Sequence, residues 1–171
     1  MVMRRLAGRV ETPWLRSTLL EGNLPGDPVE RMLPVYLPPG YDEDTSRRYP
    51  VIYVLAGHGG SGPLMLGRVD AWTESFPERI DRLIESGAMG PVIAVLPDTF
   101  TIFGGAQYVD SSALGDYERY LVEEIAPYVN LNYRTLPGRE HRAITGKSSG
   151  GYGAIVQAIR HPELWSAVAV H

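Results

Sequence analysis

The sequence predicts an α/β fold: a mostly parallel sheet with helices on both faces and an antiparallel hairpin near its start. Three observations carry this. Residues 49–55 and 91–98 are continuously apolar or nearly so and rich in Val, Ile and Leu, as strands covered on both faces are. Stretches with helical spacing alternate with these runs, the pattern of βαβ units. A further short β-type run, Ala143 and Ile144, bends through small residues and restarts as an apolar helix.

Taken in order, residues 1–14 read as a loosely held arm and residues 15–171 as the N-terminal part of a single domain. Residues 15–20 read as a strand. Residues 21–28 (EGNLPGDP) are dense in turn formers, each of which fixes or permits unusual φ. Residues 30–37 form the return strand of an antiparallel hairpin. Pro34 belongs at an edge or a bulge there, because it cannot donate to a ladder. Residues 42–48 form a charged loop.

Residues 49–55 are the clearest strand. They run into the glycine-rich loop Ala56-Gly57-His58-Gly59-Gly60, at the strand end where open α/β sheets bind ligands. A backbone N–H of this loop, that of His58, is a candidate oxyanion donor; a plain strand-to-helix connection is the alternative. Residues 69–86 have helical spacing (Trp72, Phe76, Ile80, Leu83, Ile84), with Trp72 and Phe76 expected in the core and Gly87 as the stop. Asp98 ends the next strand and either shapes the cleft or caps a turn.

Residues 99–112 form a glycine-rich excursion. Loops at strand ends carry specificity, so Gln107 and Tyr108 are candidate substrate contacts; a packed connection is the alternative. Residues 114–129 read as a helix whose stripe is Tyr117, Leu121, Ile125 and Val129. Asp116, Glu118, Arg119, Glu123 and Glu124 are expected on its solvated side. His161 reads as a helix-end residue before Pro162.

The bend holds Gly146-Lys147-Ser148-Ser149-Gly150, a G-x-S-x-G nucleophile-elbow motif. A serine hydroxyl becomes a useful nucleophile only when a base takes its proton, so it must stand exposed. A sharp strand-to-helix turn achieves this but strains the serine backbone and leaves no room for side chains two positions either side. Gly146 and Gly150 meet that demand. Ser149, opening the helix, offers an N–H where an oxyanion would form. A phosphate-binding reading of Gly146-Lys147-Ser148 fails, because that motif needs glycine where His141 stands.

Composition bounds the rest. The chain has 171 residues, 44% apolar and 21% charged, with net charge −4. It has no basic stripe, so neither nucleic acid nor an anionic membrane is indicated as a partner. With no cysteine, thiolate chemistry is excluded, and a cytoplasmic location is expected without excluding export. The basic start carries no apolar run of signal-peptide length, and no stretch reaches membrane-span length. The run 165–171 (WSAVAVH) reads as the opening of a buried strand, so a longer protein is expected.

As a set, residues 35–42 (VYLPPGYD), 49–60 (YPVIYVLAGHGG), 115–118 (GDYE) and 145–154 (TGKSSGGYGA) resemble the putative esterase family of α/β-hydrolases. That family includes enterochelin-esterase-like proteins, feruloyl and acetylxylan esterases, S-formylglutathione hydrolase and mycolyltransferases. The resemblance implies an α/β-hydrolase fold with its C-terminal strands lying beyond this sequence. It implies Ser148 as nucleophile, with oxyanion N–H groups from Ser149 and the loop around His58, acting on a small-molecule ester. No metal or organic cofactor is implied. The chain departs from the family at Ala56, often His, and at Ser149, often Met. The family's acid and histidine follow later strands, so this chain by itself is expected to be nearly inactive, and His171 is not the catalytic histidine. Acyl transfer on the same site and a non-catalytic binding module are the alternatives. A homo-oligomer remains compatible with the sequence.

Overall fold

A computed structural model describes residues 5–171. The first residues of the expected arm, Met1 to Arg4, lie outside the described residues. Six strands form the main sheet: β1 (Arg9–Glu11), β4 (Val35–Leu37), β5 (Val51–Leu55), β6 (Ile93–Val95), β9 (Arg142–Gly146) and β10 (Ala167–Val170), in the order β1-β4-β6-β5-β9-β10. β6, β5, β9 and β10 run parallel, while β4 is antiparallel to both β1 and β6. The expected parallel sheet with an antiparallel side is therefore present.

The arm needs correction. Arg9 to Glu11 are a strand of the sheet, not loose chain. The buried carboxylate of Asp81 accepts the N–H groups of Ala7 (3.0 Å) and Gly8 (2.8 Å) and the hydroxyl of Tyr36 (2.9 Å). These bonds hold the segment against the sheet. Three residues of alternation are too few to announce a strand in sequence.

The hairpin exists, between β2 (Trp14–Arg16) and β3 (Glu30–Met32), but as a separate two-stranded sheet. The expected return strand 30–37 is two strands. Its ladder breaks at Leu33 and Pro34, where the chain passes into the main sheet. The carbonyl of Pro34 still accepts the N–H of Leu96 (2.9 Å), so the residue without a donor sits at the break, as its chemistry requires.

Alternation on β5 assigns the two faces. Val51, Tyr53 and Leu55 join the large core, while Ile52 joins a small one with Tyr36 and Ala94. The small core is covered by α1 (Phe76–Glu85), through Phe76, Ile80 and Ile84. The large core is covered by a long helical stretch of α2 (Tyr117–Arg119), a π-helical segment (Tyr120–Ile125) and α3 (Ala126–Asn132), and by α4 (Ser149–Arg160). The π segment precedes Pro127, which has no N–H to give to the preceding turn. A short pair, β7 (Asp110–Ser111) and β8 (Gly115–Asp116), leads into α2.

Helix α1 begins at Phe76, later than the expected residue 69. Ser75 and Glu78 form a complete capping box, and this S-x-x-E signature was present in the sequence. Trp72 falls before the cap and is 84% exposed, not core. Glu78 also pairs with Arg68 (Nε–Oε2 2.8 Å). Arg68, and then the Ser75 N–H, hold its carboxyl down to about 2, below the ordinary 4.5. A depressed pKa favours the folded state above pH 4.5, and that contribution is lost as pH falls towards 2. Glu78→Gln is therefore expected to flatten the fall of stability between pH 4.5 and 2, as read from urea midpoints at each pH. An unchanged slope would refute the pairing.

Glu118, expected in water, is buried. Its carboxylate is paired with Arg160 and lies 2.9 Å from His161 Nε2. It joins the start of α2 to the end of α4, where His161 is the C-cap, as its position before Pro162 suggested.

Candidate active site

The strand-to-helix bend lies between β9 and α4. Leu55 of β5 sits opposite Gly146 in the parallel ladder, so the two strand ends are locked side by side. Beyond them Ser148 takes φ 57° and ψ −121°, a region that residues with a Cβ avoid. Its N–H donates to the carbonyl of His171 (2.8 Å), and the N–H of His171 donates to Gly146 (3.0 Å). Its own carbonyl accepts Tyr152 N–H (2.9 Å), which opens the helix. The Ser148 side chain is exposed.

Both flanking glycines are required by space. A Cβ on Gly146 would strike the backbone of Gly150, and one on Gly150 would strike the carbonyls of Leu55 and Ala56. Each would come closer than the 3.0 Å that real Cβ atoms keep. Gly150, in turn, donates its N–H to Lys147 (2.9 Å). Ser149 opens α4, where the first N–H groups of a helix have no intrahelical acceptor.

The loop after β5 lies against this bend. A Cβ on Gly57 would fall 3.6 Å from Ser148 Cβ and 3.2 Å from the Lys147 carbonyl. Gly57 accepts the N–H of Gly60 (3.0 Å), and Gly59 donates to Gly104 (2.7 Å). The His58 ring is exposed and lies over Gly104, within 3 Å of where a Cβ would stand. Ser148 at the bend, Ser149 at the start of α4 and His58 on the neighbouring loop, singled out separately in sequence, thus lie beyond the ends of adjacent parallel strands.

The excursion 99–112 adjoins the same loop but does not place Tyr108 as expected. Tyr108 is 2% exposed and donates its hydroxyl to the Ala56 carbonyl (2.8 Å). It is a packed part of the wall, because its ring is needed to fill the space over Gly153. Gln107 beside it is half-buried, at φ 57°. Phe100, Ile102 and Phe103 are the large exposed apolar residues of the excursion. Sequence reasoning missed Arg31, which is buried in β3 and ties the excursion down. Its guanidinium donates to the Phe100 carbonyl (2.5 Å) and to the Tyr117 hydroxyl (2.7 Å). Asp98 is a turn carboxylate accepting Phe100 N–H (3.0 Å), and it also approaches Arg31 (3.5 Å).

Among the described residues no group of His, Asp and Glu is arranged to hold a metal ion, and no helix is long and apolar enough to cross a membrane. His161 is engaged with Glu118, and His141 lies 3.9 Å from Glu140. Among the described residues no histidine ring is hydrogen-bonded to Ser148.

A sheet of this order, with a G-x-S-x-G turn and a glycine-rich strand-end loop meeting beside it, defines an α/β-hydrolase. The family described as "Putative esterase" matches residues 28–171, and the chain belongs to it. It is 27% identical over 140 residues to an endo-1,4-beta-xylanase/feruloyl esterase of Xylanibacter ruminicola, covering 77% of this chain and 18% of that protein. An esterase of Mycobacterium tuberculosis is 29% identical over 142 residues, covering 80% of this chain and 28% of its own. A solved ferulic acid esterase superimposes with a TM-score of 0.79 at 28% identity, over 96% of this chain and 59% of its own. The chain therefore spans less than a third of the length of the two curated relatives and 59% of the solved structure.

Proposed function

We propose that the whole protein hydrolyses small-molecule carboxylic esters through an acyl-enzyme on Ser148. The observation that carries this is the strained, exposed Ser148 between two glycines that admit no Cβ, with the His58 loop alongside. Ser148 Oγ attacks the ester carbonyl and its proton passes to a general base. The carbonyl oxygen becomes an oxyanion held by the N–H groups of Ser149 and His58. Collapse expels the alcohol, which takes the proton back from the base. Water then repeats the sequence on the acyl-enzyme and releases the acid.

Among the described residues no histidine ring is hydrogen-bonded to Ser148, so in this reading the base and its carboxylate come from later strands, in the order serine, acid, histidine that the family resemblance implies. The names of two relatives favour an aromatic acyl group, and the exposed Phe100, Ile102 and Phe103 beside the His58 loop suit one. The test is to treat the full protein with a fluorophosphonate and map the adduct by peptide mass. A single adduct on Ser148, together with hydrolysis of methyl ferulate, is the expected result. An adduct on another residue, or none, overturns the assignment.

A further inference from the structure

Gln107 and Tyr108 are consecutive residues bearing a Cβ at φ 57° and 59°. Such a conformation persists only where the surroundings over-determine it. Here Tyr108 is gripped at three points. Its ring lies on Gly153 of α4, where any Cβ would collide with it. Its carbonyl accepts Gln157 Nε2 (2.9 Å), from a wholly buried side chain of the same helix. Its hydroxyl donates to the Ala56 carbonyl (2.8 Å). Burial pushes that hydroxyl up to about 12, so it remains a donor at any working pH.

The Ala56 carbonyl is a consequential place to hold. Beyond Leu55 the chain leaves the ladder, and two peptide units separate it from the His58 N–H. Gly57 is the joint between them, and glycine resists rotation less than any other residue. The second unit is held by Gly60, whose N–H donates to the Gly57 carbonyl. In a trans peptide the N–H points opposite to the C=O, so this bond turns the His58 N–H away from Gly60. The first unit is held by Tyr108. Of the bonds that fix Ala56, Gly57 and Gly59, the Tyr108 bond is the one made by a side chain, and hence the one a substitution can remove.

We propose that Tyr108 is a positioning residue for oxyanion binding: by holding the Ala56 carbonyl against α4 it fixes the direction of the His58 N–H beside Ser148. The proposal rests on the reading of Ser148 as nucleophile and the His58 N–H as oxyanion donor. It replaces the expectation that Tyr108 touches substrate. Without the hydroxyl, the buried Ala56 carbonyl loses its partner and turns to find another, carrying Gly57 and His58 with it.

The test is Tyr108→Phe in the full protein, which keeps the ring over Gly153. Losing an oxyanion donor costs about 10²–10³-fold in kcat; a donor misdirected rather than lost is expected to cost about 10-fold. The loss should fall on kcat with KM for a p-nitrophenyl ester unchanged. Affinity for an arylboronic acid, whose serine adduct is tetrahedral and anionic, should weaken by the same factor, while affinity for the planar product acid stays constant. A merely structural tyrosine would lower the melting temperature and leave kcat per folded molecule and boronate affinity intact, which overturns the proposal. So does a rise in KM alone, the mark of a substrate contact. If Tyr108→Phe does not fold, Gln157→Met unpins Tyr108 from its carbonyl side and should give the same kcat and boronate pattern at smaller size; its absence counts against the proposal. Fluorophosphonate labelling of the unsubstituted protein keeps the two readings apart. No adduct on Ser148 removes the underlying assignment, whereas an adduct on Ser148 with a silent Tyr108→Phe removes only the role of Tyr108.

Discussion

Gly150→Ala is expected to abolish turnover and to destabilise the fold by about 3 kcal/mol, the upper end of what overpacking costs. The new methyl would meet the carbonyls of Leu55 and Ala56. Neither is free to retreat. Leu55 is laddered opposite Gly146, and the Ala56 carbonyl is held by the Tyr108 hydroxyl. The helix would have to rise from the sheet, taking Ser148 and Ser149 away from the His58 loop. Gly87→Ala is the control. Gly87, unlike the helical Gly150, has positive φ (73°), but nothing lies within 4 Å of the added carbon. Its cost is backbone strain alone, about 1 kcal/mol, with activity unchanged. Urea unfolding and ester hydrolysis of both variants measure the difference. If Gly150→Ala behaved like Gly87→Ala, the close approach of α4 to β5 would be wrong.

The parts of the fold legible in sequence are those whose physics is repeated along many residues. β5 is a run of five buried or half-buried residues paired on both sides, and burial on both faces imposes a continuous apolar run. The bend at Ser148 was legible because its steric demands fall on fixed positions, 146 and 150. The His58 loop was legible because it must follow β5. Illegible were the features that depend on a single distant partner. Nothing near Arg9 says that Leu37 will pair with it. Glu118 sits where a helix surface would be solvated, and only the fold brings Arg160 and His161 over it. Tyr108 looked like a loop aromatic open to substrate. Its burial follows from the space above Gly153, which exists only once the excursion folds back on α4. At Trp72 the helical period misled, because the capping box at Ser75 starts the helix at Phe76, seven residues later than apolar spacing alone implies.

The other large effect is expected at Ser148 itself, where two substitutions separate chemistry from stability. Ser148→Ala should lower kcat by about 10⁴–10⁶-fold, as removal of a nucleophile does when base and oxyanion donors remain. KM should change little, because the hydroxyl gains its importance only as the bond forms. Stability should be nearly unchanged, since alanine suffers at φ 57° and ψ −121° as serine does. Ser148→Gly should lose activity equally but gain about 1 kcal/mol, because glycine occupies positive φ without penalty while its greater unfolded-state freedom offsets only part of that relief. In the proposed reading, the strain at the exposed Ser148 is kept because its side chain carries the chemistry. A glycine variant that is more stable and inactive would show that use directly. One that is inactive but no more stable would mean that the turn is not strained at Ser148. One that retains turnover would assign the chemistry to another residue.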